Sequence, residues 1–314
     1  MQFTTLIDAA GLARSRAPAA AAGPDTAPSR RFAPGPGATL VILDCRFDLK
    51  DPEAGRRAYE HAHVAGARYA DLNRDLSGPV TASSGRHPLP EPSALAARLA
   101  AWGVGMHTQV VAYDEGSGSM AARAWWLLHW LGHEAAAVLD GGFAAWLAAG
   151  GPTETGQPAA PASAPTPRAV QPRADFQVSA EEVVAALHDP SRRIVDARAP
   201  ERFAGSVEPI DAVAGHIPGA VNHPFTGNLD AAGRFLPPTL LRERWLSRLG
   251  GLDATAAILM CGSGVTACHN RLAMEIAGLP GAALYAGSWS EWIRDPRRPV
   301  ASGVEAVVTG SNEI

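Results

Sequence analysis

Five short blocks of this chain occur twice in the same order, and this duplication limits the possible folds more than any other feature. Phe3 to Leu12 answers to Phe176 to Val183: an apolar lead-in, an N-cap (Asp8 or Ser179) and the start of an amphipathic helix. Leu40-Val41-Ile42-Leu43-Asp44-Cys45-Arg46 answers to Arg193-Ile194-Val195-Asp196-Ala197-Arg198, each an apolar run ending in Asp. His63-Val64-Ala65-Gly66-Ala67 answers to His216-Ile217-Pro218-Gly219-Ala220, and Val110-Val111-Ala112-Tyr113-Asp114 to Ala257-Ile258-Leu259-Met260-Cys261. Last, Leu139-Asp140-Gly141-Gly142-Phe143-Ala144-Ala145-Trp146 answers to Tyr285-Ala286-Gly287-Ser288-Trp289-Ser290-Glu291-Trp292. Short runs that are apolar throughout suit strands buried on both faces of a parallel sheet. Helical segments, 120–131 and 265–278, follow the third strand-like pair. The predicted class is α/β, two tandem units, each a parallel sheet flanked by helices.

The duplication divides the chain into a unit at 1–150, a linker rich in Pro, Ala and Thr at 151–173, and a second unit at 174–314. A length of 314 residues fits two domains. The Ala/Pro/Gly-rich stretch from about 17 to 38 reads as a loop inserted in the first copy. The N-terminus is expected to be folded protein rather than a signal peptide, because Phe3 to Asp8 precedes the first basic residue, Arg14.

Hydrophobic residues make up 46% of the chain and charged residues 18%, enough to bury real cores. A net charge of −4 argues against a nucleic-acid partner, which needs a basic stripe. No apolar run has the length of a membrane span. Three cysteines form no disulfide framework, so the expected compartment is reducing and cytoplasmic.

In parallel sheets ligands sit beyond the carboxyl ends of the strands. Asp114 and Cys261 are each the first residue past a predicted strand, followed by a glycine-containing loop that opens a helix. The site geometry is therefore duplicated, but only the second copy has a nucleophile. In Cys261-Gly262-Ser263-Gly264-Val265-Thr266-Ala267 the thiol meets the N–H groups of a tight loop and the positive end of a helix, which favour a thiolate and cradle a bound anion.

The pattern resembles the rhodanese family, specifically its tandem-domain sulfurtransferases that act on thiosulfate or 3-mercaptopyruvate. The resemblance rests on the loop at 261–266, on Gly215-His216-Ile217-Pro218-Gly219-Ala220, on Asp196-Ala197-Arg198 with Arg202-Phe203, and on Gly287 to Trp292; the loop is its specific part. It implies a first unit without catalytic cysteine, as Asp114 agrees, and a ping-pong cycle in which Cys261 carries sulfur as a persulfide. Neither metal nor organic cofactor is then needed. The implied partners are a small-molecule sulfur donor and a thiol or cyanide acceptor, a thioredoxin-like protein among the candidates. Gly262, Ser263, Gly264, Val265 and Thr266 form the implied donor-binding loop, and Arg202 stands where the family holds a substrate carboxylate. Gly262 and Ser263 are neutral where thiosulfate-preferring members carry basic residues, which favours 3-mercaptopyruvate. One departure is Ile210, which stands where some members have a second substrate arginine.

Other residues have plainer readings. Cys268 is expected to be a small buried residue rather than a redox partner, and Cys45 a packing residue. His63 and His216 occupy matching turns and are expected to donate to backbone carbonyls; His63 is also a candidate for lining the cleft between the halves and assisting proton transfer. Asp44 and Asp196 read as acceptors that orient loops. Trp125, Trp126 and Trp130 have the spacing of a core or interface face, while Arg123, Arg297 and Arg298 read as solvated charge. A cysteine phosphatase would need an arginine six residues after the cysteine, where Ala267 stands. A thiosulfate-preferring rhodanese and a sulfur-relay module without turnover are the remaining alternatives.

Overall fold

A computed structural model of the chain describes residues 2–16, 39–156, 165–167 and 170–303. The first half runs β1 (Leu6–Ile7), α1 (Ala9–Arg16), β2 (Leu40–Asp44), α2 (Ala54–His61), β3 (His63–Val64), β4 (Arg68–Tyr69), α3 (Pro92–Ala101), β5 (Gln109–Tyr113), α4 (Ala121–Trp130), β6 (Ala136–Leu139), α5 (Gly142–Ala148) and β7 (Thr153–Glu154). The second runs α6 (Ala180–Ala186), β8 (Arg193–Asp196), α7 (Pro200–Ala204), β9 (Val221–Asn222), α8 (Pro238–Leu249), β10 (Ala257–Met260), α9 (Thr266–Ile276), β11 (Ala283–Leu284) and α10 (Ser288–Trp292). The strand order is β1-β6-β5-β2-β4 in the first main sheet and β11-β10-β8-β9 in the second. Gln177 adds a parallel bridge to Leu284 where β1 stands in the first copy. All pairings within these two sheets are parallel, as the α/β expectation requires.

The duplication extends to buried polar devices. Asp44 pairs with Arg46 at 2.7 Å, and the same guanidinium donates to Ala62 O at 2.6 Å and lies 4.4 Å from the Phe143 ring. In the second half Asp196 pairs with Arg198 at 2.7 Å, which donates to Gly215 O at 2.7 Å and lies 4.7 Å from Trp289. Each pair ties a strand end to the turn that follows, with its charges compensated and its N–H groups satisfied. His63 stacks on Tyr59 at 4.0 Å with Nδ1 2.8 Å from Tyr59 O; His216 stacks on Phe203 at 3.9 Å with Nδ1 2.8 Å from Phe203 O.

The linker expectation needs correction at its start. Thr153 and Glu154 pair antiparallel with β3, and Gly156 N–H donates to Glu60 O, so the first unit runs through 156. The edge of the His63 turn offers unpaired backbone groups, and the chain satisfies them before leaving. The inserted loop at 17–38 and residues 157–164 lie outside the described residues.

One apolar cluster crosses both halves, with α4 packed on α9. Trp125, Trp126 and Trp130 are buried in it. Beside it lies a buried polar network: Asn228 accepts at Oδ1 from Trp245 Nε1 and bonds His223 Nε2 at 2.9 Å, while its Nδ2 donates to Asn270 Oδ1 at 2.7 Å. His269, stacked on Phe235, reaches Ser117 O of the first half at 3.1 Å.

Burial pushes His223 down to about 4 and His269 to about 3. The unfolded chain returns both to the ordinary value near 6.5 and so binds protons that the folded chain refuses. Stability is therefore full above pH 6.5 and falls as pH drops towards 4, by about 1.4 kcal/mol per pH unit for each histidine. Denaturant titrations between pH 7 and 4.5 check this, and in the double variant His223→Gln/His269→Gln the slope should become shallower.

Candidate active site

The register of the second sheet sets Asp196 beside Met260, so Cys261 leaves β10 level with the Asp196–Arg198 device. Its backbone is held on both sides: Cys261 N–H donates to Ser288 Oγ at 3.0 Å, and the carbonyls of Cys261 and Gly262 accept from Trp289 and Ser290 N–H at 3.0 and 2.9 Å. Ser288 adopts φ +52°, rare for a residue with a Cβ, while its Oγ donates to Tyr285 O at 2.9 Å. Gly264 has φ +78°, and a Cβ there would come within 2.2 Å of Ala286 O, so only glycine fits. The turn that results directs Gly264 N–H at Cys261 Sγ, 3.1 Å away.

The thiol borders a cavity of about 240 Å³ lined by residues of both halves. Gly262, Ser263, Val265, Thr266 and Arg202 line it with Cys261. Gly264 does not line it but supplies the N–H to Sγ. Ile210 adds apolar surface. His63 is not among the lining residues; it is fully buried in its own turn, stacked on Tyr59, and the proton-transfer expectation for it is corrected on that ground.

The first half supplies what the sequence reading missed: Arg86 and His87, with Phe47 and Met120 as apolar wall. His87 Nδ1 shares a hydrogen bond of 2.7 Å with Ser263 Oγ. Burial, and then the charges of Arg123 and Arg86, push His87 down to about 3, so it is a neutral imidazole. A signal was present. Gly85-Arg86-His87-Pro88-Leu89-Pro90 has a counterpart in Gly233-Arg234-Phe235-Leu236-Pro237-Pro238, a further repeat block in which His87 replaces Phe235. Each segment docks on the other half: Arg86 N–H donates to Ser290 Oγ at 3.0 Å, and Phe235 N–H to Asp140 Oδ1 at 3.0 Å.

Arg123 is a second correction. It is fully buried, not solvated, and donates to Leu76 O (3.3 Å), His87 O (3.1 Å), Pro88 O and Gly264 O (both 3.4 Å). An arginine in α4 looks like surface in the sequence, but every residue of that helix is buried. Burial lowers the pKa of its guanidinium, against the opposing influence of Cys268 and Cys261. Arg298 likewise lies 5.6 Å from the Trp292 ring, whereas Arg297 is exposed beside Asp295.

Cys268 donates from Sγ to Gly264 O at 3.2 Å, and burial pushes its thiol up to about 12. It packs beneath the loop as a protonated thiol. Burial and then Asp44 raise the Cys45 thiol well above its ordinary value. Arg202 is held from behind by Glu208 at 2.8 Å and Asp211 at 3.0 Å. Burial pushes the Glu208 carboxyl up, but the bonds from Arg202 and from the N–H groups of Asp211 and Ile210 outweigh it and hold it below the usual range.

The matching loop of the first half carries its own anion. Asp114 accepts from the N–H groups of Gly116 (3.0 Å), Gly118 (2.9 Å), Met120 (2.8 Å) and Ala121 (3.2 Å). The carboxylate fills the nest that in the other copy surrounds a thiol.

The family model described as Rhodanese-like domain matches residues 34–149 and 179–295. The Pseudomonas aeruginosa "Probable 3-mercaptopyruvate sulfurtransferase" is 53% identical over 266 residues, 84% of this chain and 93% of that protein. The Mycobacterium tuberculosis "Putative thiosulfate sulfurtransferase SseB" is 40% identical over 271 residues, 85% of this chain and 92% of that protein. Among solved structures, 3-mercaptopyruvate sulfurtransferase from Leishmania major superposes with a TM-score of 0.72 at 34% identity, covering 83% of this chain and 75% of that one.

Asp114→Ala would leave four N–H groups without their acceptor, a loss of about 3 kcal/mol or more at 1–3 kcal/mol for each buried group. Thermal unfolding with and without sulfate checks the nest. The variant should melt below wild type and regain part of the difference in sulfate, while wild type responds less.

Proposed function

The chain belongs to the rhodanese family, and on that premise we propose that it is a sulfurtransferase moving sulfane sulfur from 3-mercaptopyruvate to a thiol or cyanide through a persulfide on Cys261. One observation carries the reading: a thiol at a strand end, with a loop N–H directed at its sulfur, faces a small cavity that holds guanidinium groups. In this reading the unit at 1–150, with its short extension to 156, serves as the non-catalytic wall. The unit at 174–314 carries the nucleophile.

The Cys261 thiolate attacks the donor's sulfur. The S–S bond forms as the C–S bond breaks, and the bonding electrons leave on carbon as the enolate of pyruvate, which takes up a proton. The outer sulfur is then attacked by the acceptor, and the S–S electrons return to Cys261 as thiolate. Gly264 N–H and the start of α9 stabilise the sulfur anion at both stages. Arg202 holds the donor carboxylate. Ser263 Oγ, fixed by neutral His87, faces the donor carbonyl and stabilises charge that develops on its oxygen. Gly262, Val265 and Thr266 shape the loop side of the cavity.

A thioredoxin-like protein is the acceptor we favour among thiols. All three cysteines are unpaired, which suits a reducing compartment such as the cytoplasm. Among the described residues no helix is long and apolar enough to cross a membrane.

Wild type should turn over 3-mercaptopyruvate with a higher kcat/KM than thiosulfate; the reverse order would favour the thiosulfate reading. Donor treatment should add one sulfur, about 32 Da, to wild type and none to Cys261→Ser, as expected for one covalent intermediate per chain. Arg202→Ala should raise KM for 3-mercaptopyruvate about ten- to a hundredfold in a protein that still folds, the range for loss of a charged hydrogen bond. An unchanged KM would place the anchor elsewhere.

A further inference from the structure

A second cavity, of about 400 Å³, lies between the halves at the pole opposite Cys261. Thr4 and Thr5 on its wall lead into β1, Glu134 precedes β6, and Pro280 and Gly281 precede β11. These are the amino ends of parallel strands, whereas Cys261 follows the carboxyl end of β10. The two cavities share no lining residue. The volume falls in the range of small-molecule sites, roughly 300–1,000 Å³.

Two opposite charges in this cavity have bonding capacity that the chain leaves unused. Arg271, on α9 and 5% exposed, donates from Nη1 to Ala282 O and from Nη2 to Glu275 at 2.6 Å. Its Nε is buried with no hydrogen-bond partner. A lysine could make both existing bonds, so the guanidinium adds a fixed donor that the fold does not need. Asp175, whose charge acts on Arg271, has no hydrogen bond or ion pair among the described residues. The other charges are engaged. Glu134 lies 3.3 Å from His129 Nδ1 and accepts from Arg173 Nη2, and these two partners hold its carboxyl down at about 2. His129 Nε2 is, like Arg271 Nε, buried without a partner.

We propose that this cavity binds an α-amino acid as its zwitterion, with the carboxylate on Arg271 and the ammonium on Asp175. A simple anion would meet the carboxylates of Glu134, Asp175 and Glu275, and a simple cation the guanidiniums of Arg173 and Arg271. A ligand that carries both charges a few bonds apart is attracted by each side. Phe176 steadies the cationic side, its ring 5.1 Å from the Arg173 guanidinium and 5.2 Å from that of Arg271. Trp125, Phe176 and Pro280 supply apolar wall for a side chain. The ligand would touch α4 through Trp125 and His129 and α9 through Arg271, the two helices packed across the halves, and so tie the units together when bound.

Calorimetry on the full chain tests this with L-leucine, 4-methylpentanoate, which lacks the ammonium, and isoamylamine, which lacks the carboxylate. Leucine should bind at one saturable site at least about tenfold more tightly than either analogue, and should raise the melting temperature. Asp175→Asn, a change at an exposed side chain, should weaken leucine about tenfold or more and leave 4-methylpentanoate unweakened. Arg271→Lys should weaken leucine and 4-methylpentanoate alike. Cys261→Ser should leave leucine binding unchanged. The proposal is overturned if leucine does not bind, binds no better than 4-methylpentanoate, or is indifferent to Asp175→Asn. Competition of leucine with pyruvate would place it in the catalytic cavity and overturn the proposal as well. None of these measurements needs turnover, so their outcome is separate from that of the sulfurtransferase reading.

Discussion

The cavity depends on a reciprocal contact between the halves: residues 85–87 lie on residues 287–290, and residues 233–235 lie on residues 140–142. The approach is backbone-close, since a Cβ on Gly85 would come within 2.5 Å of Gly287 O. At that distance the segment that carries Arg86 and His87 cannot shift without moving the strand-to-helix turn that supports Cys261. Arg123 locks the same contact from below. Its guanidinium spans carbonyls of residues 76, 87 and 88 in the first half and of Gly264 in the second, with no carboxylate partner among the described residues. Burying such a cation is tolerable only because several of its N–H groups find acceptors. The halves thus form one functional body, and neither could present this site alone.

Against so much repetition, the differences between the copies fall where chemistry needs them. The paired devices at Asp44–Arg46 and Asp196–Arg198, and the stacked histidines at 63 and 216, are alike in geometry because they solve the same local problem of satisfying buried polar groups at a strand end. The loops beyond the central strands differ. Asp114 fills its own nest with a fixed carboxylate that takes four loop N–H groups. Cys261 takes one loop N–H and faces open volume. At the crossing segments His87 meets Ser263, whereas Phe235 packs on Gly118. The copies thus differ around the cavity at a few positions, on a scaffold held constant.

The strands, their parallel order and the Cys261 loop were legible because each is encoded locally: apolar runs of strand length, and a glycine pattern that permits a tight anion-binding turn. The linker start was not, since the pairing of Thr153–Glu154 with β3 depends on an edge exposed by a turn far away in sequence. The role of Arg86 and His87 was illegible for the same kind of reason, although the repeat block that holds them stands in the sequence. They sit in a polar, proline-rich stretch that looks like any loop, and their meaning comes from what the second half places opposite them. Arg123 was misread because the helical pattern of α4 does not reveal that its polar face is covered. For His63 the turn role was legible and holds, whereas the direction of the imidazole, back onto Tyr59 and away from the cavity, was not.

On the sulfurtransferase reading, charge balance bears on the choice of donor. Around the cavity Arg86, Arg198 and Arg202 face Asp196, Glu208 and Asp211, three cations against three buried anions. The guanidiniums are thereby fixed as directional donors rather than as a pool of positive potential. A dianion gains most from potential and least from direction, while a single carboxylate gains from two aligned N–H groups even where net charge is near zero. Arg123, which has no acid partner among the described residues, lies beneath the loop, nearer the thiols than the cavity mouth. On the sulfurtransferase reading, the arginine at the mouth therefore serves the donor's carboxylate, while Arg123 beneath the loop serves the contact between the halves.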